Sequence, residues 1–228
     1  MRRWWAFGMM VLAAGWAAAP AAAEQRFHFT GDFVSSYIFR GVDQHEGASI
    51  QGSLSYDLFD TVTASVWSNL RLADRIGLSE LDYDLRWSYL TALRAKFVAG
   101  AVYYDYTSGG RRDSAELYVG AEWNVPAKPA LYLYYDFLHR PGLYAEASVG
   151  HRFLLPGYQG TVDLSAALGF DSGRHNGFHT GRVSVGMTRL LGDWRLTPAV
   201  DLWFPSDAAD PGANGFSPAF RFTVSRSF

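Results

Sequence analysis

Residues 216–228 read F-S-P-A-F-R-F-T-V-S-R-S-F, and every second residue back from the end is Phe228, Arg226, Val224, Phe222, Phe220, Pro218 and Phe216. Between them stand Ser227, Ser225, Thr223, Arg221, Ala219 and Ser217. Successive side chains of a strand point to opposite faces. One face of this segment is therefore aromatic and aliphatic, and the other small and polar. Two settings suit such a ribbon: the edge of a soluble sandwich, or a sheet with one face in an apolar medium. The rest of the chain decides between them.

The same alternation recurs along the sequence. Phe27, Phe29, Phe33, Tyr37 and Phe39 oppose Arg26, His28, Thr30, Asp32, Ser36 and Arg40, and Ile50, Leu54, Tyr56 and Leu58 oppose Ser49, Gln51, Ser53, Ser55 and Asp57. Val62, Ala64, Val66 and Leu70 oppose Thr61, Thr63, Ser65, Trp67 and Asn69. The clearest run sets Leu81, Tyr83, Leu85, Trp87 and Tyr89 against Glu80, Asp82, Asp84, Arg86 and Ser88. Charge at every second position does not suit a strand buried on both faces. For Arg94 to Tyr106 the parity is ambiguous; placing Arg94 and Lys96 inward puts Phe97, Ala99, Ala101 and Tyr103 outward. Further runs follow at 115–123, 131–137, 143–153, 162–170, 183–188 and 194–204, with Glu116, Tyr118, Tyr132, Tyr134, Asp136, Tyr144, Glu146, Arg182, Asp201 and Trp203 on the polar side.

These segments make about twelve strands, most of about 9–13 residues, the length that crosses a bilayer when tilted. The connections alternate between short (Phe59-Asp60, Leu90 to Leu93, Asn124 to Pro129, Leu154 to Gly157, Leu190 to Asp193) and longer, polar ones (Gly41 to Ala48, Arg71 to Leu78, Thr107 to Arg112, Asp171 to Gly177, Pro205 to Gly215). Leu138 to Gly142 is an exception in length. Short turns belong to the periplasm and longer loops to the outside. In lipid each unpaired backbone group costs several kcal/mol, so a spanning sheet must close on itself. The expectation is an all-β chain forming an antiparallel transmembrane β-barrel of about twelve strands. Tyr37, Phe39, Tyr89, Trp123, Phe153, Trp194 and Phe204 suit its interfacial girdles. A chain that stops on Phe after such a strand resembles the terminal strand by which bacterial outer-membrane barrels are recognised for assembly. Arg226 departs from that pattern, which implies an apolar residue there.

Met1-Arg2-Arg3, the nearly uncharged run Trp4 to Ala23 and the small residues Ala21 and Ala23 make a secretory signal peptide over residues 1–23, cleaved before Glu24. Residues 24–228 are the single barrel domain. Of the 20 basic residues two leave with the leader, so 18 face 22 acidic ones and the mature net charge is −4. That balance argues against a nucleic-acid partner. There is no cysteine, so neither a disulfide nor a thiolate site exists. Aromatics are 16% of the chain while mean hydropathy is −0.06, too polar for a helical membrane protein and suited to alternating strands.

Tyr37-x-Phe39-Arg40-Gly41-x-x-Gln44, then Gln51-Gly52 and Val66-Trp67-Ser68-Asn69, resembles a family of bacterial outer-membrane porins of uncharacterised substrate. Tyr103-Tyr104-x-Tyr106 and Glu116-x-Tyr118-x-Gly120 are similar to the middle of the same family. The resemblance implies an outer-membrane barrel in a Gram-negative bacterium and supplies no catalytic residues.

Candidate chemistry lies on the polar face. Arg40, read as the end of the first strand at the outer mouth, either binds an anionic group or cross-links to carboxylates across the lumen. Gly41 serves the turn. Strand direction gives each charge a height. Glu80, Asp82, Glu116, Asp136, Glu146 and Asp201 fall in the outer half against Arg40 and Arg182. Arg26, Arg94, Lys96, Arg152 and Arg195 fall at the periplasmic mouth against Asp57 and Glu122, with Asp32, Asp84, Asp163, Arg86 and Arg221 nearer the middle. His45, His139, His175 and His179 lie in or near loops, where solvation is the common state and metal ligation the rarer one. No Ser–His–acid set is expected to converge, so an enzyme is not expected; His28 sits at the periplasmic mouth and His151 faces outward. The reading is a porin-like channel passing small polar solutes with a mild cation preference. Its rivals are a closed structural or surface-binding barrel and a membrane-embedded hydrolase. Expected partners are outer-membrane lipid and lipopolysaccharide, the barrel-assembly machinery and small polar solutes. No cofactor is expected.

Overall fold

Alternating apolar and polar residues commit each segment to a strand with one wet and one greasy face, and such strands bury neither face well until the sheet closes. The computed structural model describes residues 27–45, 47–73, 76–91, 94–108, 110–139, 141–173, 176–211 and 215–228. The predicted leader and its cleavage site lie outside these residues, as do Arg26, Glu46 and His175. The strands are β1 (Phe27–Val34), β2 (Ile38–Phe39), β3 (Val42–Asp43), β4 (Ser49–Phe59), β5 (Val62–Arg71), β6 (Gly77–Leu90) and β7 (Ala95–Asp105). They continue as β8 (Ser114–Trp123), β9 (Ala130–Asp136), β10 (Gly142–Leu155), β11 (Gly160–Asp171), β12 (Gly177–Leu191), β13 (Trp194–Pro205) and β14 (Ser217–Ser227).

All but β2 and β3 form one closed antiparallel barrel of twelve strands in sequence order, the architecture expected from the alternation. The seam joins the two ends of the chain: His28 pairs with Ser227 and Val34 with Arg221 in register. The Phe228 amide donates to the Phe27 carbonyl at 2.8 Å. One end of the barrel carries short connections and the C-terminus (the turn end), and the other carries the longer ones (the loop end).

The outer wall is apolar. Phe29, Phe33, Leu54, Leu85, Leu117, Val119, Leu168, Val185 and Phe220 all stand exposed on it. A soluble monomer rarely exposes contiguous apolar patches beyond a few hundred Å². A belt around a sheet without edges therefore faces lipid, and the barrel spans a membrane. In β7 the ambiguous parity resolves with Lys96, Val98 and Tyr104 inward and Phe97 outward, Val98 and Tyr104 being buried. The register slips between Gly169 and Phe170 of β11, so β12 carries one extra residue, His179, between Phe178 and Thr180. Such a bulge re-aims the side chains around it.

Three tyrosines lie flat over glycines of neighbouring strands inside the wall: Tyr118 over Gly100, Tyr132 over Gly120 and Tyr144 over Gly169. A Cβ at any of these glycines would overlap the ring, so only glycine admits the close approach.

Two sequence expectations are corrected here. Residues 27–39 do not form one strand. β1 ends at Val34, the Ser35 amide turns to the Phe220 carbonyl at 2.9 Å, and the Ser35 hydroxyl accepts from the Phe220 amide at 2.9 Å. Tyr37 and Phe39 are consequently not girdle aromatics, and Arg40 does not end the first strand. All three belong to a hairpin folded inside the barrel.

Candidate functional site: a hairpin across the lumen

The hairpin is the short sheet β2–β3, with Ile38 opposite Asp43 and Phe39 opposite Val42. Arg40 and Gly41 form its two-residue turn with φ of 51° and 82°. Positive φ at both central residues is the signature of a type I′ turn, which matches the twist of the strands it joins. Gly41 is required twice over, by its backbone angle and because a Cβ there would overlap the Thr180 side chain. The Gln44 amide closes the base of the hairpin on the Tyr37 carbonyl at 2.8 Å.

From its root beside β1 and β4 the hairpin reaches the opposite wall. Tyr37 packs on Trp67 of β5, ring centroids 5.5 Å apart, and its hydroxyl donates to Glu80 of β6 at 3.0 Å. Burial and the Glu80 and Asp82 carboxylates push the Tyr37 phenol well above its usual range, so it remains a donor. Phe39 meets Tyr104 of β7 edge-on. At the tip the Arg40 guanidinium makes a bidentate pair with Glu116 of β8 at 2.7 and 2.8 Å. It also lies 4.7 Å from the Tyr134 ring centre on β9 and 4.2 Å from that of Tyr144 on β10. Fork-to-fork pairing and stacking on aromatic faces are what a guanidinium does better than an ammonium. Of the two roles open to Arg40 in the sequence, the cross-link is the one formed. From the loop end Arg111 holds the hairpin too, donating to the Gln44 side chain and, at 3.1 Å, to its carbonyl.

The hairpin divides the interior. On the loop side lies a cavity of about 520 Å³ bordered by Arg40, Arg111, Arg112, Glu116, Asp136 and His139. On the other side lies one of about 520 Å³ bordered by Trp67, Asp82, Asp84, Glu146, Arg182 and Trp203. Phe39, Arg40 and Tyr144 border both.

The charged residues singled out on the barrel strands face inward, and most of them meet partners there. Glu80 accepts from Tyr37, and Asp84 accepts from the Tyr118 hydroxyl at 2.8 Å. Arg86 pairs with Glu122 at 3.2 Å, which Lys96 approaches at 3.8 Å. Asp136 accepts from the Ser114 hydroxyl at 2.6 Å and from the amides of Leu138 and His139, fixing a loop start. Asp201 is held by Arg221 at 3.1 Å. Arg182 lies 5.0 Å from the Trp203 ring centre. Glu146 is 3.5 Å from the Tyr144 hydroxyl. Asp82 has one buried oxygen without a hydrogen-bond partner. By register, Arg86 and Asp163 stand nearer the turn end than the middle: Arg86 pairs with Thr63 at the start of β5, and Asp163 is tied to Arg152. Arg94 lies in the turn before β7 rather than on the wall.

One constellation was missed. The Ser227 hydroxyl is 2.8 Å from His28 Nδ1, and His28 Nε2 is 3.0 Å from Asp57 Oδ2. Thr63 donates to the second Asp57 oxygen at 2.7 Å. A Ser–His–Asp set does converge, contrary to the sequence expectation. It stands on adjacent strands at the turn end, with His28 and Ser227 direct register partners across the seam. Seeing it required the pairing of the first strand with the last. His45, by contrast, is taken up by Ser49 at 3.0 Å and Asn69 at 3.2 Å.

No family model matches the chain, and no curated protein sequence matches it. Solved structures do. The chain is similar to the KdgM porin (TM-score 0.58, 12% identity, covering 89% of this chain and 99% of that one). It is similar to the NanC porin (TM-score 0.56, 11% identity, 88% and 98%). It is also similar to an outer membrane channel from Pseudomonas putida F1 (TM-score 0.56, 12% identity, 92% and 97%). At such identities the likeness is one of fold, and the fold is that of bacterial outer-membrane barrels along nearly the whole length of each.

Proposed function

We propose that this chain is a bacterial outer-membrane channel that passes small polar solutes with a mild preference for cations. The observation that carries this reading is a lumen that is narrowed but not filled. The hairpin leaves a cavity of about 520 Å³, lined in part by charged side chains, on either side of a waist at Phe39, Arg40 and Tyr144. A barrel built only as a scaffold has no use for two such spaces, and small barrels are commonly packed solid with side chains. The channels that share its fold support the same reading. Lipid and lipopolysaccharide against the apolar belt, and the assembly machinery at the terminal strand, complete the proposed setting.

The cation preference follows from cancelling the pairs. Arg40 with Glu116, Arg86 with Glu122, Arg152 with Asp163, and Arg221 with Asp201 neutralise one another, and Lys96 is left over beside Glu122. Along the cavity on the turn side of the hairpin, Asp82, Asp84 and Glu146, with Glu80 beside them on β6, remain against Arg182. A low-dielectric wall focuses the field of that acidic excess, and salt screens it. In planar bilayers the refolded chain is expected to give unitary conductance and a reversal potential favouring potassium over chloride, weaker at molar salt. Arg40→Asn/Glu116→Gln keeps a residue that tolerates positive φ while removing both charges of the tip, and it is expected to raise the conductance. Clear anion preference overturns the charge argument. Absence of conductance in both proteins favours a closed structural or surface-binding barrel.

The Ser227–His28–Asp57 set supports a second reading, a hydrolase at the turn end. Hydroxyl, imidazole and carboxylate stand in the order that activates a serine. Labelling of the folded barrel by a fluorophosphonate, lost in Ser227→Ala, would establish it. Under the channel reading the trio is a seam lock, and no label is expected.

A further inference from the structure

We propose that the cavity on the turn side of the hairpin is a binding site for free α-amino acids, basic ones above all. The inference takes the channel reading as its premise and names the class of solute.

Its first support is the placement of charge. Asp82 and Asp84 belong to β6 and Arg182 to β12, and these strands stand six places apart in a ring of twelve, on opposite walls. All three border the same space of about 520 Å³, as does Glu146. Its second support is what those groups lack. Among the described residues no Lys or Arg nitrogen comes within 4 Å of the Asp82, Asp84 or Glu146 carboxylates, and no carboxylate within 4 Å of Arg182. The other arginines at this cavity, Arg40 and Arg86, are spent on Glu116 and Glu122. Charges in a confined, low-dielectric space are costly unless compensated, and here a guest can compensate them.

The guest is defined by what it must bring. An ammonium group suits the β6 carboxylates and the ring faces beside them, Trp67 and Tyr118, through ion pairing and cation–π attraction. A carboxylate suits the guanidinium of Arg182, which its seat on Trp203 holds in one plane. An α-amino acid carries both groups on one carbon, and a field running from one wall to the other orients that dipole. Glu80 and Asp82 hydrogen-bond to each other and so share one proton. That pair, Asp84 and Glu146 set three negative charges against one guanidinium, so a side chain with a second positive group is preferred to a neutral one. An acidic side chain meets the β6 wall and is rejected. A neutral sugar compensates nothing. The space is of ordinary size for a small-molecule site and holds such a solute with water around it.

Binding can be measured without conduction. The mature chain, refolded in detergent and verified as folded by its heat-modifiable gel migration, is titrated with L-lysine, L-alanine, L-glutamate, cadaverine and glucose by calorimetry. Saturable heat is expected for lysine, less for alanine, and none for glutamate or glucose. Asp82→Asn/Asp84→Asn is expected to weaken lysine by about tenfold, as loss of charge pairing does. Arg182→Gln is expected to weaken lysine but leave cadaverine, which has no carboxylate, unchanged; Arg182→Lys restores part of the loss. Glutamate binding as well as lysine, indifference of lysine to the β6 pair, or no saturable binding by any amino acid each overturns the proposal. Lysine binding in a barrel that does not conduct removes the channel and keeps the site. Conductance without amino-acid binding keeps the channel and removes the site.

Discussion

Arg226 stands on the lipid-facing side of the last strand, where the assembly pattern implies an apolar residue. Its surroundings make it tolerable. Asp193, from the neighbouring turn, pairs with it at 3.1 Å, and the Phe228 and Trp194 ring centres lie 4.7 and 5.4 Å away. It sits two residues from the chain end, at the turn end of the barrel, where a long side chain reaches the headgroups while its stem stays on apolar surface. Depth decides such cases. A basic residue costs about 2–4 kcal/mol at the bilayer midplane and about 0–1 kcal/mol near an interface. Leu85 faces outward in the body of β6 and is 53% exposed, whereas Ser88 of the same strand faces inward. Leu85→Arg is therefore expected to lower stability by about 2–4 kcal/mol in urea titrations from lipid vesicles, and Ser88→Arg by little. Equal midpoints for the two variants would contradict the assigned faces.

At the scale of the element, the sequence was legible wherever a strand kept strict period two. In β6 the run Glu80, Asp82, Asp84, Arg86 reads directly as an inner face. It failed where the backbone left the ladder. The parity of Phe27, Phe29 and Phe33 carried on to Tyr37 and Phe39 by coincidence of spacing, across a break at Ser35 that only the pairing with Phe220 reveals. A usable sign was present. Ile38-Phe39-Arg40-Gly41-Val42-Asp43 sets a turn-forming pair between two short β-prone pairs, which is a hairpin pattern in miniature. The bulge at His179 left no such sign, because two residues against one is settled by the partner strand. The Ser227–His28–Asp57 contacts were hidden for the same reason: side chains far apart in sequence meet only once register is known.

For the whole molecule, strand direction alone gave the charges usable heights, and the acidic wall and its opposing guanidinium follow from that. Which charges cancel did not follow, because ion pairing depends on the hairpin reaching across the barrel. That reach also alters what the cell displays. The first connection, long enough to look like a surface loop, keeps its tip out of reach, while Arg111 and Arg112 stand exposed. Trypsin added from the loop side of sealed vesicles should cut after Arg111 or Arg112 and spare the Arg40–Gly41 bond. Glu116→Gln, which keeps the cleavable arginine and weakens its anchor, should expose that bond to the enzyme. Fragment masses then report the hairpin's seat with no current passing. An antibody or phage scanning the cell would accordingly find this barrel lacking its first epitope.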